Sequence, residues 1–291
     1  MSNAPTLAHH LRGRRVGVVL SAGYFGFFGH AGFWKALHAA GIAPVAWAGT
    51  SAGGMVSSFA AAGAGVDAVE SLLRGLGKAD FWDPDFLGIL RGALWGGHQP
   101  TGLLRGQRFR ALLEQHLPAT RFEECRTPLL LVAADLDRGT PALLASGPLA
   151  SAVHATCAYP GLFRSVERDG TFLWDGGLVD KAPVLALADS PAGRGVDTFL
   201  VHYLPTRRPA RAVGALAYAR GVSTGMAALR HAHFRVQVEA LRARGAEVVV
   251  LEARLPAVSP SSLASGKAAL EAAFEQATAT LHRPVEATAA A

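Results

Sequence analysis

Gly49-Thr50-Ser51-Ala52-Gly53 sets a small hydroxyl between glycines, in a run (AWAGTSAGGM) with almost no other polar side chain. A lone serine is a poor nucleophile, so chemistry at Ser51 requires that its hydroxyl be placed and deprotonated. The G-x-S-x-G spacing meets the first need. Its glycines allow a sharp strand-to-helix turn that projects the hydroxyl and leaves room for a substrate. The residues before Ser51 (IAPVAWAGT) are strand-like and those after it (SAGGMVSSFAAAGAG) helix-like, which is the context such a turn requires. A helix N-terminus also favours negative charge developing near the serine. The bland alternative is a serine that only caps the helix.

Deprotonation needs a base, usually histidine. His9 and His10 fall in a floppy N-terminal stretch, His30 and His154 on helices, and His231 and His233 in a basic helical segment. His98, His116 and His282 have loop-like or helix-end neighbours. His202 is the best placed, in a strand, yet nothing around it looks like a catalytic loop. The histidines lack metal-ligand spacing, and no metal is expected. A carboxylate can serve instead. Asp175 ends the run TFLW and precedes Gly176-Gly177, so it would project from a strand's C-terminal end, where α/β sites form. Burial raises an aspartate's pKa and makes it a better base. An Asp-Gly-Gly turn with a side-chain cap is the structural alternative.

The third need is a donor site for the oxyanion of a tetrahedral intermediate, where losing one donor costs about 3–4 kcal/mol of barrier. Backbone amides in a glycine-rich turn supply it. SAGYFGFFGHAG (21–32) is such a turn, with Gly23, Tyr24 and Gly26 as candidate donors. It fails as a dinucleotide fingerprint, because G-x-G-x-x-G is absent and no acidic residue stands about twenty positions on. GTSAGG also lacks the Gly-Lys of a phosphate-cradling loop. No cofactor is expected.

These residues need a scaffold. VGVVLS (16–21) reads as a buried parallel strand, and GHAGFWKALHAAG (29–41) as a helix stopped by Gly41. Strand, turn and helix then repeat within fifty residues of the first strand, which predicts an α/β fold with a parallel sheet and crossover helices. Residues 66–117 read as mainly helical, interrupted by DFWDPDFLGILRGALWGGHQPTG with its Trp82, Phe86 and Trp95. PLLLVAADL (128–136), TFLWDGG (171–177), VDTFLVHYL (196–204) and AEVVVLEA (246–253) are further strands, and SGKAALEAAFEQATATL (265–281) a terminal helix. Without an internal repeat, linker or composition break, residues 15–285 are expected to form one domain behind a flexible N-terminus of residues 1–14.

Of the 291 residues, 50% are hydrophobic and 17% charged, which allows a sizeable core and argues against disorder. The net charge of +6 suggests an anionic partner. From Arg207 to Arg244 there are eight arginines against one acid, Glu239. Aromatic-flanked nucleic-acid motifs are absent, so the stretch is a solvated helix face or a patch for an anionic membrane surface, and nucleic acid is not expected. Cys125 and Cys157 form no Cys-x-x-Cys pair and are expected as buried thiols. The N-terminus lacks the apolar run of a secretory signal, and no segment reaches the roughly 18 apolar residues of a membrane span. A cytoplasmic chain with peripheral membrane contact is the expectation.

Together the glycine-rich loop, the early G-x-S-x-G and the later D-G-G resemble the patatin-like phospholipase family. HAGFWKAL (30–37), TCAYPGLFRSV (156–166) and LVDKAPV (178–184) resemble its flanking segments, and the resemblance covers roughly residues 15–185. It implies a three-layer fold with a mainly parallel central sheet flanked by helices, and a Ser–Asp dyad carried by Ser51 and Asp175. It also implies hydrolysis of a phospholipid or other acyl-ester lipid. The chain departs from the family at the loop: AGYFGF (22–27) stands where G-G-G-x-R-G is common, without the arginine. Two rivals stay open. GTSAGG would suit a Ser-His-Asp α/β-hydrolase with His202 as base, although that fold normally has more strands and a His-Gly-Gly segment upstream. A lipid-binding protein that kept the fold and lost activity would explain the altered loop.

Overall fold

The apolar runs assemble into one eight-stranded sheet, and the stretches between them into helices on its two faces. The computed structural model describes residues 5–95, 102–206, 215–258 and 265–285. The chain opens with α1 (Leu7–Arg12), β1 (Val16–Leu20), α2 (Phe27–Ala39), β2 (Ala46–Thr50) and α3 (Ala52–Ala62). A middle section holds α4 (Val66–Gly75), α5 (Phe86–Trp95), β3 (Gly102–Leu104) and α6 (Gln107–His116). Next come β4 (Leu129–Asp135), β5 (Thr140–Leu144), α7 (Leu149–Thr156), β6 (Gly161–Phe163), β7 (Val166–Arg168) and β8 (Thr171–Asp175). The last part is α8 (Val184–Asp189), β9 (Thr198–Tyr203), α9 (Ala215–Ala243), β10 (Glu247–Glu252) and α10 (Ser265–Leu281).

The sheet order is β10-β9-β1-β2-β4-β8-β7, with β5 also paired to β4. Every pairing from β10 across to β4 is parallel, whereas β8, β7 and β5 join antiparallel. β3 and β6 make a separate two-stranded parallel sheet. All residues of β1 and β4 are buried, as strands covered on both faces must be. Alternate side chains feed two cores. Val18, Leu20, Trp47 and Leu131 pack beneath α2, α3, α7 and α10, while Val19, Ala48, Leu130 and Val201 pack beneath α8 and α9. The expected α/β class and its three layers follow from this two-sided burial.

Register decides where the site lies. β2 runs along β4 as far as Thr50 opposite Val132, and the next residue of β4, Ala133, pairs with Asp175 of β8. β5 pairs with β4 across the same stretch, Leu131 to Asp135. A strand has two edges, so β2 and β8 share one of them and meet with their carboxyl ends facing.

Two expectations for the scaffold change. Within the N-terminal stretch expected to be flexible, Leu7–Arg12 is a helix whose Leu7 and Leu11 are buried in the core. Thr6 caps it, and the Leu7 N–H donates to the Arg283 carbonyl beyond α10. Its four-residue leucine spacing was hidden by the surrounding histidines and arginines. The apolar interruption after residue 80 contains α5, a helix of ten residues. Among the described residues, no helix is long and apolar enough to cross a membrane.

Candidate active site

Ser51 stands at the corner between β2 and α3 with φ 55° and ψ −124°, a conformation that non-glycine residues adopt at a cost of about 1–3 kcal/mol. The flanking glycines are forced by close approach. A Cβ on Gly49 would run into the backbone of Gly53, and one on Gly53 into the carbonyls of Leu20 and Ser21. The corner can therefore press against β1 only with glycine at both places. Ser51 occupies the cap position of α3, yet its side chain makes no capping bond. Its hydroxyl instead donates to Asp175 Oδ2 at 2.6 Å. The Ser51 N–H is held by Thr156 Oγ1 at 2.9 Å, and the Thr156 hydroxyl donates in turn to the Val132 carbonyl. Thr156, the last residue of α7, supports the corner without any local motif that marks it.

Asp175 reaches Ser51 because β8 descends antiparallel and stops where β2 stops. The sequence predicts this carboxylate at the carboxyl end of a strand, and it lies there, on a strand that runs against β4. Gly176 must then pass between β4 and Thr50, where a Cβ would strike the Val132 carbonyl and lie 3.0 Å from Thr50 Cγ2. On Gly177 a Cβ would lie 2.7 Å from that of Ala22. The Gly177 N–H donates to Asp175 Oδ1 at 2.8 Å, so each carboxylate oxygen has a donor. Asp175 is only 3% exposed. Burial pushes its pKa up to about 6, opposed by the bonds from Ser51 and Gly177 and by the charge of Arg230. Arg230 enters from α9, and its Nη1 donates to the Gly177 carbonyl at 2.9 Å.

The glycine-rich loop after β1 lies against the same turn. The Ala22 N–H donates to the Lys181 carbonyl at 2.7 Å. Of the three expected oxyanion donors, Gly26 is excluded: its N–H closes the loop's own turn on the Gly23 carbonyl at 2.9 Å. Gly23 and Tyr24 have N–H groups without an acceptor among the described residues, and both line the cavity that holds Ser51. Ala52 adds a third. It opens α3, where an N–H has no partner within the helix, and it lines the same cavity.

Two histidines support this loop from beneath. His30 Nε2 donates to the Ser21 carbonyl at 2.7 Å, and the Nδ1 atoms of His30 and His202 lie 2.8 Å apart. With its Nε2 protonated, neutral His30 accepts at Nδ1, so His202 carries its proton there. Burial lowers the pKa of His30 to about 4 and takes His202 well below its usual range. The His202 ring also stacks on Phe33 and is absent from the cavity lining. Among the described residues no histidine bonds to Ser51 or Asp175, which removes the base that a Ser-His-Asp arrangement needs.

The cavity holds about 570 Å³. Phe25, Phe27, Met55, Phe81, Phe109 and Phe163 make one part of its wall apolar, while Lys181, Thr206 and Arg230 make another polar. Tyr24 and Tyr159 line it and remain exposed, at 65% and 44%. Both cysteines, expected to be buried, are partly exposed. Cys157 borders the cavity, and burial with the nearby Asp175 charge holds its thiol well above the usual range, so it is no competing thiolate. Burial likewise pushes Cys125 up to about 11. No group of three or more metal-ligating side chains occurs among the described residues.

The arginine-rich stretch divides. Arg207, Arg208 and Arg211 lie outside the described residues, Arg242 pairs with Glu239, and Arg244 pairs with Asp189. Arg230 turns into the cavity.

The family model described as Patatin-like phospholipase matches residues 18–188. An uncharacterized NTE family protein of Mycobacterium tuberculosis is 30% identical over 174 residues, 60% of this chain and 46% of the relative. A second from the same organism is 31% identical over 179 residues, 61% of this chain and 29% of the relative. The chain thus spans half or less of the length of these curated relatives. Among solved structures, VipD from Legionella pneumophila matches with a TM-score of 0.50 at 14% identity, covering 92% of this chain and 66% of that one. That likeness is one of fold.

Proposed function

The chain belongs to the patatin-like phospholipase family, and from that premise we propose that it is a lipid acyl-ester hydrolase working through a Ser51–Asp175 dyad. The observation that carries this reading is the 2.6 Å bond from the Ser51 hydroxyl to a buried carboxylate, inside a cavity with a largely aromatic wall. Asp175 takes the hydroxyl proton as Oγ attacks the ester carbonyl. The N–H groups of Gly23, Tyr24 and Ala52 receive the oxyanion. Asp175 then returns the proton to the departing alcohol, leaving an acyl ester on Ser51. A water molecule, deprotonated by the same carboxylate, cleaves that ester and releases the fatty acid. Amides fixed by the fold need no reorganisation as charge develops, which is where such donors act most strongly. The loop's missing arginine removes a cation but leaves the amides.

Contact with a lipid surface is the second half of the proposal. Phe86, Leu87 and Leu90 of α5 are each more than half exposed, and Tyr24 and Tyr159 sit at the cavity with rings in solvent. Aromatic residues with one wet end favour the membrane–water boundary. Ser51→Ala should abolish turnover of a long-chain ester and labelling by a fluorophosphonate, with the wild-type label mapped to the peptide carrying Ser51. Labelling that persists in the variant, or turnover that survives it, would remove the dyad.

A further inference from the structure

Two cations in the cavity wall have no carboxylate bonded to them among the described residues. Lys181 is 5% exposed; its Nζ donates to Thr206 Oγ1 at 3.0 Å and lies 4.5 Å from the centre of the Tyr203 ring. Arg230 uses Nη1 on the Gly177 carbonyl and Nε on the Met226 carbonyl, while its Nη2 has no acceptor among the described residues. Neither side chain forms an ion pair with a described carboxylate. Glu252 lies within electrostatic reach of Lys181 and Asp175 within reach of Arg230, but neither carboxylate bonds to either cation. Burial and the neighbouring Arg230 charge lower the Lys181 pKa to about 8, so the ammonium still predominates at neutral pH. Holding two like charges together in a partly buried wall is unfavourable unless an anion joins them.

Position gives that anion a use. Lys181 follows the turn that carries Asp175, and its carbonyl fixes the glycine-rich loop through Ala22. Arg230 is bonded to that same turn at Gly177. The cations are therefore attached to both parts of the reacting centre. The rings of Phe25, Phe27 and Phe81 form one connected group in the wall and those of Phe109 and Phe163 another. We propose that Lys181 and Arg230 form a subsite for a phosphate group, and that the ester lipid taken by this cavity bears a net-anionic head group. A choline head would bring a third cation to the pair, and a neutral glyceride would leave the pair unmatched. The reaction half of this inference rests on the proposed dyad; the binding half does not.

The test compares three esters with one common acyl chain: monoacylglycerol phosphate, monoacylglycerol and monoacylglycerophosphocholine. Wild type should favour the phosphate monoester, and Lys181→Met should reduce that preference about tenfold or more, mainly through KM. Arg230→Lys, which keeps the charge, should retain more of the preference than Arg230→Gln, and thermal melts would identify any variant that fails to fold. A second arm avoids turnover: Ser51→Ala protein is titrated with monoacylglycerol phosphate and with inorganic phosphate, with and without Lys181→Met. Lipid binding weakened by Lys181→Met supports the subsite even if no ester is hydrolysed, an outcome that would defeat only the dyad. Equal handling of all three esters by wild type and variants overturns the subsite and leaves the dyad standing. Inorganic phosphate that binds as tightly as the lipid, without discrimination among esters, would assign the cations to a free anion and overturn the head-group role.

Discussion

In the proposed dyad Asp175 must be a base while sitting almost out of water, and those two conditions fix its pH behaviour. Its pKa rises from 3.8 to about 6, with burial the main cause. The proposed mechanism needs the carboxylate, so kcat/KM should climb through a limb near pH 6 and level off above it. Arg230 opposes the shift, so Arg230→Gln should move the limb upward; a limb that stays put would remove Arg230 from the field at Asp175. The same shift acts on stability. Between pH 3.8 and about 6 the folded chain binds more protons than the unfolded one, so this group's stabilisation is lost as pH rises through that window. At pH 8, Asp175→Asn should therefore be inactive yet more stable, by up to about 3 kcal/mol, with the gain vanishing near pH 4. A denaturant titration at both values checks this. Thr156 poses a different demand, because it accepts from the backbone of Ser51, the proposed nucleophile. Thr156→Val should lower kcat about 10- to 100-fold with little change in KM, and Thr156→Ser should restore it. Failure of the serine variant to rescue would make Thr156 a packing residue only.

The elements explain why part of this site could be read from sequence and part could not. Gly49, Gly53 and Gly176 were legible because each sits where two backbones touch, a demand imposed next to the residue it serves. Strand β4 was legible from its unbroken apolar run, but not its use as a shared edge for β2 and β8, which depends on β5 taking the other side. The Gly26 amide looked available because spacing says nothing about which N–H a turn closes on. Arg230 comes from 53 residues beyond the turn it grips, a separation that no local pattern encodes. The histidine pair was equally hidden, since α2 and β9 supply one ring each. That pair ties the elements to pH. Both rings are neutral when folded, so their contribution is present above the ordinary histidine value of 6.5 and is lost as pH falls toward about 4. Asp175 acts in the opposite direction over part of that range, so the measurement belongs in the Asp175→Asn background. Unfolding free energy there should fall as pH drops from 6.5 to 4, and His202→Gln, which keeps a donor to His30, should flatten the slope. An unchanged slope would show that the pair carries no share of the acid sensitivity.

At the scale of the whole molecule, the proposed function divides the work of meeting a lipid between the cavity and the outer surface. The cationic wall lies inside, beside Asp175, whereas Arg242 and Arg244 on the outside are already paired with acids. Arg235 of α9 stays exposed, yet the described part of the arginine-rich stretch makes a smaller outer patch than its density in the sequence suggests. The outer surface also presents an apolar group on α5: Leu87 is 70% exposed, and Phe86 and Leu90 stand one helical turn apart beside it. An apolar face held against a bilayer is insensitive to salt, while the net charge of +6 acts through a field screened over about 10 Å at 0.1 M and 3 Å at 1 M. The two contributions separate in a vesicle co-sedimentation series. Binding should rise with the fraction of anionic lipid and fall with salt to a residue that remains at 1 M. Leu87→Asp with Leu90→Asp should abolish that residue, because two carboxylates would have to enter the acyl boundary with the helix. If the double variant sediments like wild type at every salt concentration, α5 does not touch the bilayer, and the exposed leucines belong to some other contact.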